Sequence, residues 1–308
     1  MPTQIIQRAA TVICCLTFLV GAVTSQARSK RGGEPSKPAD QDAVLVGAGD
    51  IASCDDLAGA EATAKLIDKI PGTVFVSGDL AYPNGSDEDF ANCYGPTWGR
   101  FKDRTRPAPG NHEYNTDGAS GYVRYFGAAA GDPTKGYYSY ELGGWHIIAL
   151  NSECVKVGGC SAASPEGRWL QQDLAQHPET CTLAYFHKPL FSSGAAHGNV
   201  PQMKPLWQML YHAGADVVIN GHDHDYECFA PQDPQGNPDP AHGIREFVVG
   251  TGGKNSHRIF AAPKPNSETR NADAFGVQKV TLHPSSYDWE FVSEAGKSFH
   301  DSGHGGCH

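Results

Sequence analysis

From Ala43 onward the chain alternates short apolar runs with stretches whose apolar residues recur at helical spacing. Ala43 to Ala48 reads as a strand that ends in Gly-Asp; Gly59 to Ile70 reads as a helix stopped by Pro71; Thr73 to Ser77 repeats the strand and again ends in Gly-Asp. Tyr137 to Leu142 and Gly144 to Leu150 form an expected hairpin. A helix follows, with Ser164 as its N-cap and Pro165 in its first position. Thr182 to His187 is a strand, Met203 to His212 a helix, and Ala215 to His222 a strand ending in histidine. Three last runs, Arg245 to Gly250, Gly276 to Leu282 and Tyr287 to Val292, read as antiparallel strands of a second sheet. Strands alternating with helices predict a layered α/β fold, and no breaker-rich linker divides the run into two domains.

The N-terminus departs from this rhythm. Arg8 precedes an apolar run, Thr11 to Val23, which is too short to span a bilayer, and Ser25-Gln-Ala27 has the small-x-small form of a cleavage site. Residues 1–27 are therefore expected to be an export signal and 28–42, rich in Gly, Pro and charge, a flexible lead-in. Residues 43–295 would be the catalytic domain, and 296–308, rich in Gly and His, a flexible tail. The protein is expected outside the cytoplasm, secreted or periplasmic, and off the membrane once the signal is cleaved.

Composition narrows the function classes. Thirteen Phe, 12 Tyr and 5 Trp supply a large core, which excludes a mainly disordered or coiled-coil chain. A net charge of −10 argues against a dedicated nucleic-acid partner. In an oxidising compartment the seven cysteines beyond residue 27 are expected to pair. The spacing of Cys154 and Cys160 suits a small closed loop, Cys54 and Cys93 are the next expected pair, and Cys307 is the expected odd thiol.

The chemistry lies in where the polar residues fall. Asp50, Asp79, Asn111, His187 and His222 each stand just past a strand or turn, where an open sheet displays functional groups. If the Gly-His-Asp-His segment is extended, His222 and His224 point to one side. Carboxylate, phenol and imidazole groups suit Fe³⁺, Zn²⁺ or Mn²⁺, and no thiolate cluster accompanies them. His146, in an alternating strand, reads as a packing residue, and His212 as the end of a helix. Asn84-Gly-Ser86 matches a glycosylation sequon.

Gly49-Asp50, Gly78-Asp-Leu-Ala-Tyr82, Gly110-Asn-His-Glu113, Phe186-His-Lys-Pro189 and Gly221-His-Asp-His224 together resemble the calcineurin-like metallophosphoesterases. Tyr82 narrows the resemblance to the purple acid phosphatases of the small single-domain type. That resemblance implies a four-layer α-β-β-α sandwich with two mixed sheets. It implies a dinuclear centre with Fe³⁺ held by Asp50, Asp79, Tyr82 and His224, and Fe²⁺, Zn²⁺ or Mn²⁺ held by Asp79, Asn111, His187 and His222. It further implies hydrolysis of small phosphate monoesters by in-line attack of a metal-activated hydroxide, with His112 and His197 as catalytic residues over the substrate. Steering a metal-bound group is the other reading of His112, and a plain surface loop that of His197. A phosphodiesterase or nucleotidase of the same superfamily is the alternative activity, and a non-catalytic metal-binding protein is the reading from another class.

Overall fold

The computed structural model describes residues 42–178, 181–254 and 260–308. The expected export signal, and all of the lead-in except Asp42, lie outside the described residues. Fifteen strands are described: β1 Ala43–Ala48, β2 Ala52–Ser53, β3 Thr73–Ser77, β4 Ala81–Tyr82, β5 Thr105–Ala108, β6 Tyr138–Leu142, β7 Trp145–Ala149, β8 Thr182–Tyr185, β9 Val217–Asn220, β10 Tyr226–Phe229, β11 Arg245–Val249, β12 Ser267–Asn271, β13 Gly276–His283, β14 Ser286–Ser293 and β15 Asp301–Gly306. The α-helices are α1 Ala58–Ile67, α2 Asp87–Asp89, α3 Ser120–Phe126, α4 Pro165–Gln176 and α5 Lys204–His212.

Two large mixed sheets carry the fold. The first has the order β15-β14-β13-β1-β3-β5, the second β12-β10-β11-β9-β8-β7-β6, and β2 pairs with β4 in a small ribbon. β1, β3 and β5 run parallel, as do β7, β8, β9 and β11. The central strands are buried on both faces, and their alternation sorts the two cores. In β7 to β9, Ile147, Leu183, Tyr185, Val217 and Ile219 join the large cluster shared with Phe75 and Ala108. Their neighbours Ile148, Ala184, Phe186 and Val218 pack instead against Leu170 of α4 and Leu206, Trp207 and Leu210 of α5. α4 starts as expected, with the Ser164 hydroxyl accepting from Gly167 N at 3.0 Å. The expected hairpin is β6 paired antiparallel with β7.

The late strands correct the sequence reading. They were expected to form one antiparallel group, yet β11 lies parallel to β9 inside the second sheet, while β13 and β14 extend the first sheet antiparallel to β1. Periodicity marks a strand's faces and carries no information about its neighbour, so the assignment to a sheet was out of its reach.

The C-terminal segment is a second correction. Residues 301–306 form β15 on the edge of the first sheet, paired with β14, where a flexible tail was expected. The glycines there have a packing cause: a Cβ on Gly303 would enter the Trp289 ring, and one on Gly305 the Tyr287 ring. Cys307, expected as the odd thiol, is bonded to Cys181, and His308 N donates to Asp216 at 3.0 Å. The expected pairs Cys54–Cys93 and Cys154–Cys160 are both present. Among the described residues the free thiol is Cys228, buried on β10.

Candidate metal centre

The parallel strands of both sheets deliver their polar residues to one end of the fold. Asp50 follows β1, Asp79 follows β3, Asn111 follows β5, His187 follows β8, and His222 and His224 follow β9. Three of these turn residues sit in the left-handed region: Asp50 at φ 60°, Asp79 at 50° and His222 at 76°. Such a conformation costs about 1–3 kcal/mol in a residue with a side chain, and it persists where the surroundings over-determine it. The turn glycines leave room for the neighbouring carboxylates. A Cβ on Gly110 would collide with Asp79 Oδ1, and one on Gly221 would come to 2.5 Å from Asp50 Oδ2.

The seven residues expected as metal ligands fall into two groups that meet at one atom. In the first, Tyr82 Oη lies 2.9 Å from Asp50 Oδ1, 3.3 Å from His224 Nε2 and 3.3 Å from Asp79 Oδ2, and His224 Nε2 lies 3.2 Å from Asp50 Oδ1. In the second, His187 Nε2 lies 3.1 Å from each of Asp79 Oδ2, Asn111 Oδ1 and His222 Nδ1. Asp79 Oδ2 belongs to both.

Counting donors shows what this arrangement lacks. His187 Nδ1 faces the Ser77 carbonyl at 2.9 Å, an acceptor only, which assigns a proton to Nδ1. That leaves the Nε2 lone pair of a neutral ring directed at a carboxylate oxygen, an amide oxygen and a second imidazole nitrogen. One positive centre, a proton or a metal, has to satisfy all of them. With protein groups alone the proton is held: burial opposes the charged imidazole, but Asp79 and Asp50 override it and push His187 up to about 10. His222 is pushed down by burial and by the positive charge of His187. Burial, reinforced by Asp50 and Asp79, drives the Tyr82 phenol well above its ordinary 10, so a phenolate here needs a strong cation beside it. Donor spacings of about 3 Å are those of ligands that share a metal at roughly 2.0–2.2 Å, and an O/N donor set suits a borderline-to-hard ion. The residues fit two cations joined through Asp79.

His112 and His197 flank this cluster. His112 N donates to Asp79 Oδ1 at 2.9 Å, its Nδ1 is 2.6 Å from the Pro83 carbonyl, and its ring meets the Tyr82 ring at 4.3 Å. The His197 ring stacks on His222 at 4.0 Å, and burial holds it below the ordinary imidazole range against the pull of Asp223. Both histidines line a cleft of about 320 Å³ together with Tyr82, His222, His224 and Lys254. His146 lies elsewhere, buried between Glu141 and Asp173.

Two carboxylates had no role in the sequence reading. Glu113 accepts from the amides of Asp79, Leu80, Ala81 and Gly110 at 2.8–3.3 Å, tying two of the ligand-bearing turns together. Burial and the charge of Asp79 push its carboxyl up to about 7, against the Gly110 and Leu80 amides and the charge of His187. Asp223 accepts from Ser192 Oγ, His197 N and Gly198 N at 2.6–3.1 Å and so fixes the loop that carries His197. Their only sequence signal was membership of the Gly-Asn-His-Glu and Gly-His-Asp-His motifs, where they stand beside the more obvious ligands.

Residues 37–226 match the family profile described as calcineurin-like phosphoesterase. Purple acid phosphatase 21 of Arabidopsis thaliana is 28% identical over 245 residues, a match covering 71% of this chain and 53% of that protein. Purple acid phosphatase 15 of the same plant is 26% identical over 200 residues, covering 53% and 37%. The chain thus spans about half the length, or less, of these curated relatives. Among solved structures, the purple acid phosphatase PPD1 from yellow lupin (Lupinus luteus) seeds superposes with a TM-score of 0.68 at 18% identity, over 86% of this chain and 53% of that one. GAP50, described as the anchor in the inner membrane complex of Plasmodium, superposes at 0.66 with 15% identity, over 87% and 89%. These superpositions match the two-sheet architecture, and with the family profile and the five motifs they place the chain in the calcineurin-like phosphoesterase family, with its similarity directed to the purple acid phosphatases.

Proposed function

We propose that the protein is an exported phosphomonoesterase with a dinuclear metal centre. The observation that carries this reading is Asp79 Oδ2, shared between two groups of donor atoms. Asp50, Asp79, Tyr82 and His224 would hold Fe³⁺, and Asp79, Asn111, His187 and His222 would hold Fe²⁺, Zn²⁺ or Mn²⁺. When bound, the two ions supply Lewis acidity to the phosphoryl oxygens and a water nucleophile activated at neutral pH. The chain does the rest. Tyr82, buried and driven far from ionisation by protein groups alone, selects a trivalent ion at its own site. Glu113 holds the Asp79 and Asn111 turns in register. His112 and His197 stand over the cleft as donors to the phosphoryl oxygens and the departing oxygen. A cleft of about 320 Å³ suits a small ester, and three disulfides suit an oxidising compartment.

The test combines metal content, a visible spectrum and two substrates. We expect about two metal ions per chain including iron, a tyrosinate-to-iron absorption band, and hydrolysis of p-nitrophenyl phosphate faster than of its bis-ester. Iron without the band removes Tyr82 from the centre. A fast bis-ester rate with a slow monoester rate replaces this reading with the phosphodiesterase one, and bound metal without turnover leaves a metal-binding protein.

A further inference from the structure

Lys254 is the one lysine or arginine among the described residues lining the cleft. It arrives there on a backbone with little freedom. Gly252 N donates to the Gly49 carbonyl and Lys254 N to the Asp50 carbonyl, both at 2.9 Å, so the segment is stitched to the turn that carries Asp50. That approach depends on glycine: a Cβ on Gly252 would enter the Gly49 carbonyl, and one on Gly253 the Ala60 amide. The ammonium is seated as firmly. β2 and β4 pair with Ser53 opposite Tyr82, and Lys254 Nζ donates to Ser53 Oγ at 3.0 Å while lying over the Tyr82 ring, 5.0 Å from its centroid. Among the described residues it forms no ion pair, in contrast to Lys188, which is paired with Glu153. A half-buried ammonium without a counter-charge, preorganised on the wall of a cleft, is a receptor for an anion.

Its position says which anion. The phenol oxygen of Tyr82 points into the Asp50 and Asp79 cluster, whereas Lys254 covers the ring of the same side chain. The ammonium is therefore set over the ring, to the side of the donor atoms that the phenol oxygen meets. We infer that Lys254 is a specificity-determining residue that binds a second phosphate carried by the leaving group, so that the cleft favours terminal phosphates of diphosphate esters over esters of neutral alcohols. The inference rests on the phosphomonoesterase reading.

The experiment measures kcat/KM for adenosine 5′-monophosphate, whose leaving group is neutral, and for adenosine 5′-diphosphate, whose leaving group keeps a phosphate. Comparing K254Q with wild type on both substrates cancels the intrinsic difference between the leaving groups. We expect K254Q to lose roughly tenfold more on the diphosphate than on the monophosphate, the loss of one charge-assisted contact, with the difference mostly in KM and diminishing at high salt. K254R should keep the wild-type ratio, and its thermal midpoint, measured beside that of K254Q, separates a lost contact from a lost fold. Equal losses on the two substrates would place Lys254 on the scissile phosphoryl and overturn the inference. So would an unchanged ratio accompanied by a shifted visible band, which would make Lys254 a partner of the Tyr82 ring alone. Wild-type protein inactive on both esters removes the phosphatase reading and this inference with it. Wild type active on both, with the ratio untouched in K254Q, removes this inference alone.

Discussion

Among the described residues, two groups made of histidine and carboxylate hold three ligand atoms close enough to share one ion, and they are chemically unlike. Asp50, Asp79 and His187 meet at the cleft; Glu141, His146 and His177 meet at the side of the second sheet, beside α4. In the second cluster His146 Nδ1 lies 2.9 Å from Glu141 Oε1 and Nε2 lies 2.7 Å from Asp173 Oδ2. Each nitrogen has its own carboxylate, so a single imidazolium satisfies the site. The His146 and His177 rings are stacked at 3.8 Å and 15°, and nearly parallel rings direct their in-plane lone pairs alongside each other. At the cleft the His187 and His222 rings stand at 71°, and several acceptors converge on one nitrogen. Proximity of ligand atoms is common to both; a demand for a cation is made only where lone pairs converge without protons to share.

The sharpest way to break this contrast is to remove the shared oxygen. On the proposed function, Asp79→Ala should cut the phosphatase activity by roughly 10³-fold or more and lower the metal content of the purified protein, whereas Asp173→Ala should leave metal content at the wild-type level. Equal metal loss in the two variants would show that the second cluster holds an ion as well.

A smaller effect is expected one step out from the centre. Asp223→Asn keeps the size of the side chain and weakens its hold on Ser192, His197 and Gly198; kcat/KM should fall about 10–100-fold. Metal content should stay near that of wild type, since the change acts on the His197 loop. Loss of metal instead would mean that Asp223 supports the neighbouring His222 and His224.

The smallest effect is on stability and has a definite pH dependence. Burial disfavours the charged form of His146, but hydrogen bonds to Asp173 and Glu141 raise its affinity for the proton above the ordinary 6.5. Asp173, penalised by burial, is nonetheless lowered from 3.8 by His146 and Ser139. A raised histidine stabilises the fold fully below its unfolded value and loses this as pH climbs through the folded value; a lowered aspartate loses its share as pH falls through its own. His146→Gln should therefore cost about 1 kcal/mol near pH 5 and progressively less toward pH 9, read as thermal midpoints. A cost that grows with pH would mean that the ring is neutral.

These contrasts also show what could be read from the chain. Asp50, Asp79, His187 and His222 were legible because each follows a recognisable strand, and parallel strands present their ends on one side; Asn111 was legible through its Gly-Asn-His-Glu motif, since the short strand before it, Thr105–Ala108, has no such pattern. Glu113 and Asp223 carried no signal of their own, since a carboxylate that accepts backbone amides leaves no periodic trace. The pairing of β13 with β1 and of β11 with β9 was invisible for a related reason: β11 is buried along almost its whole length, β13 alternates buried apolar with half-exposed polar residues, and neither pattern points to a particular neighbouring strand. Glycine misled most at the C-terminus, where it marks the path of backbone over Trp289 and Tyr287.

That last strand sets where the gene can tolerate a premature stop. Termination near residue 300 would delete β15 and with it Cys307, leaving Cys181 unpartnered. The flank of β14 would become the new border of the first sheet, with its row of amides and carbonyls bare and the Trp289 and Tyr287 rings uncovered, a template for pairing between molecules. A truncation that spares every residue of the cleft would thus be expected to act through solubility and recovery during expression.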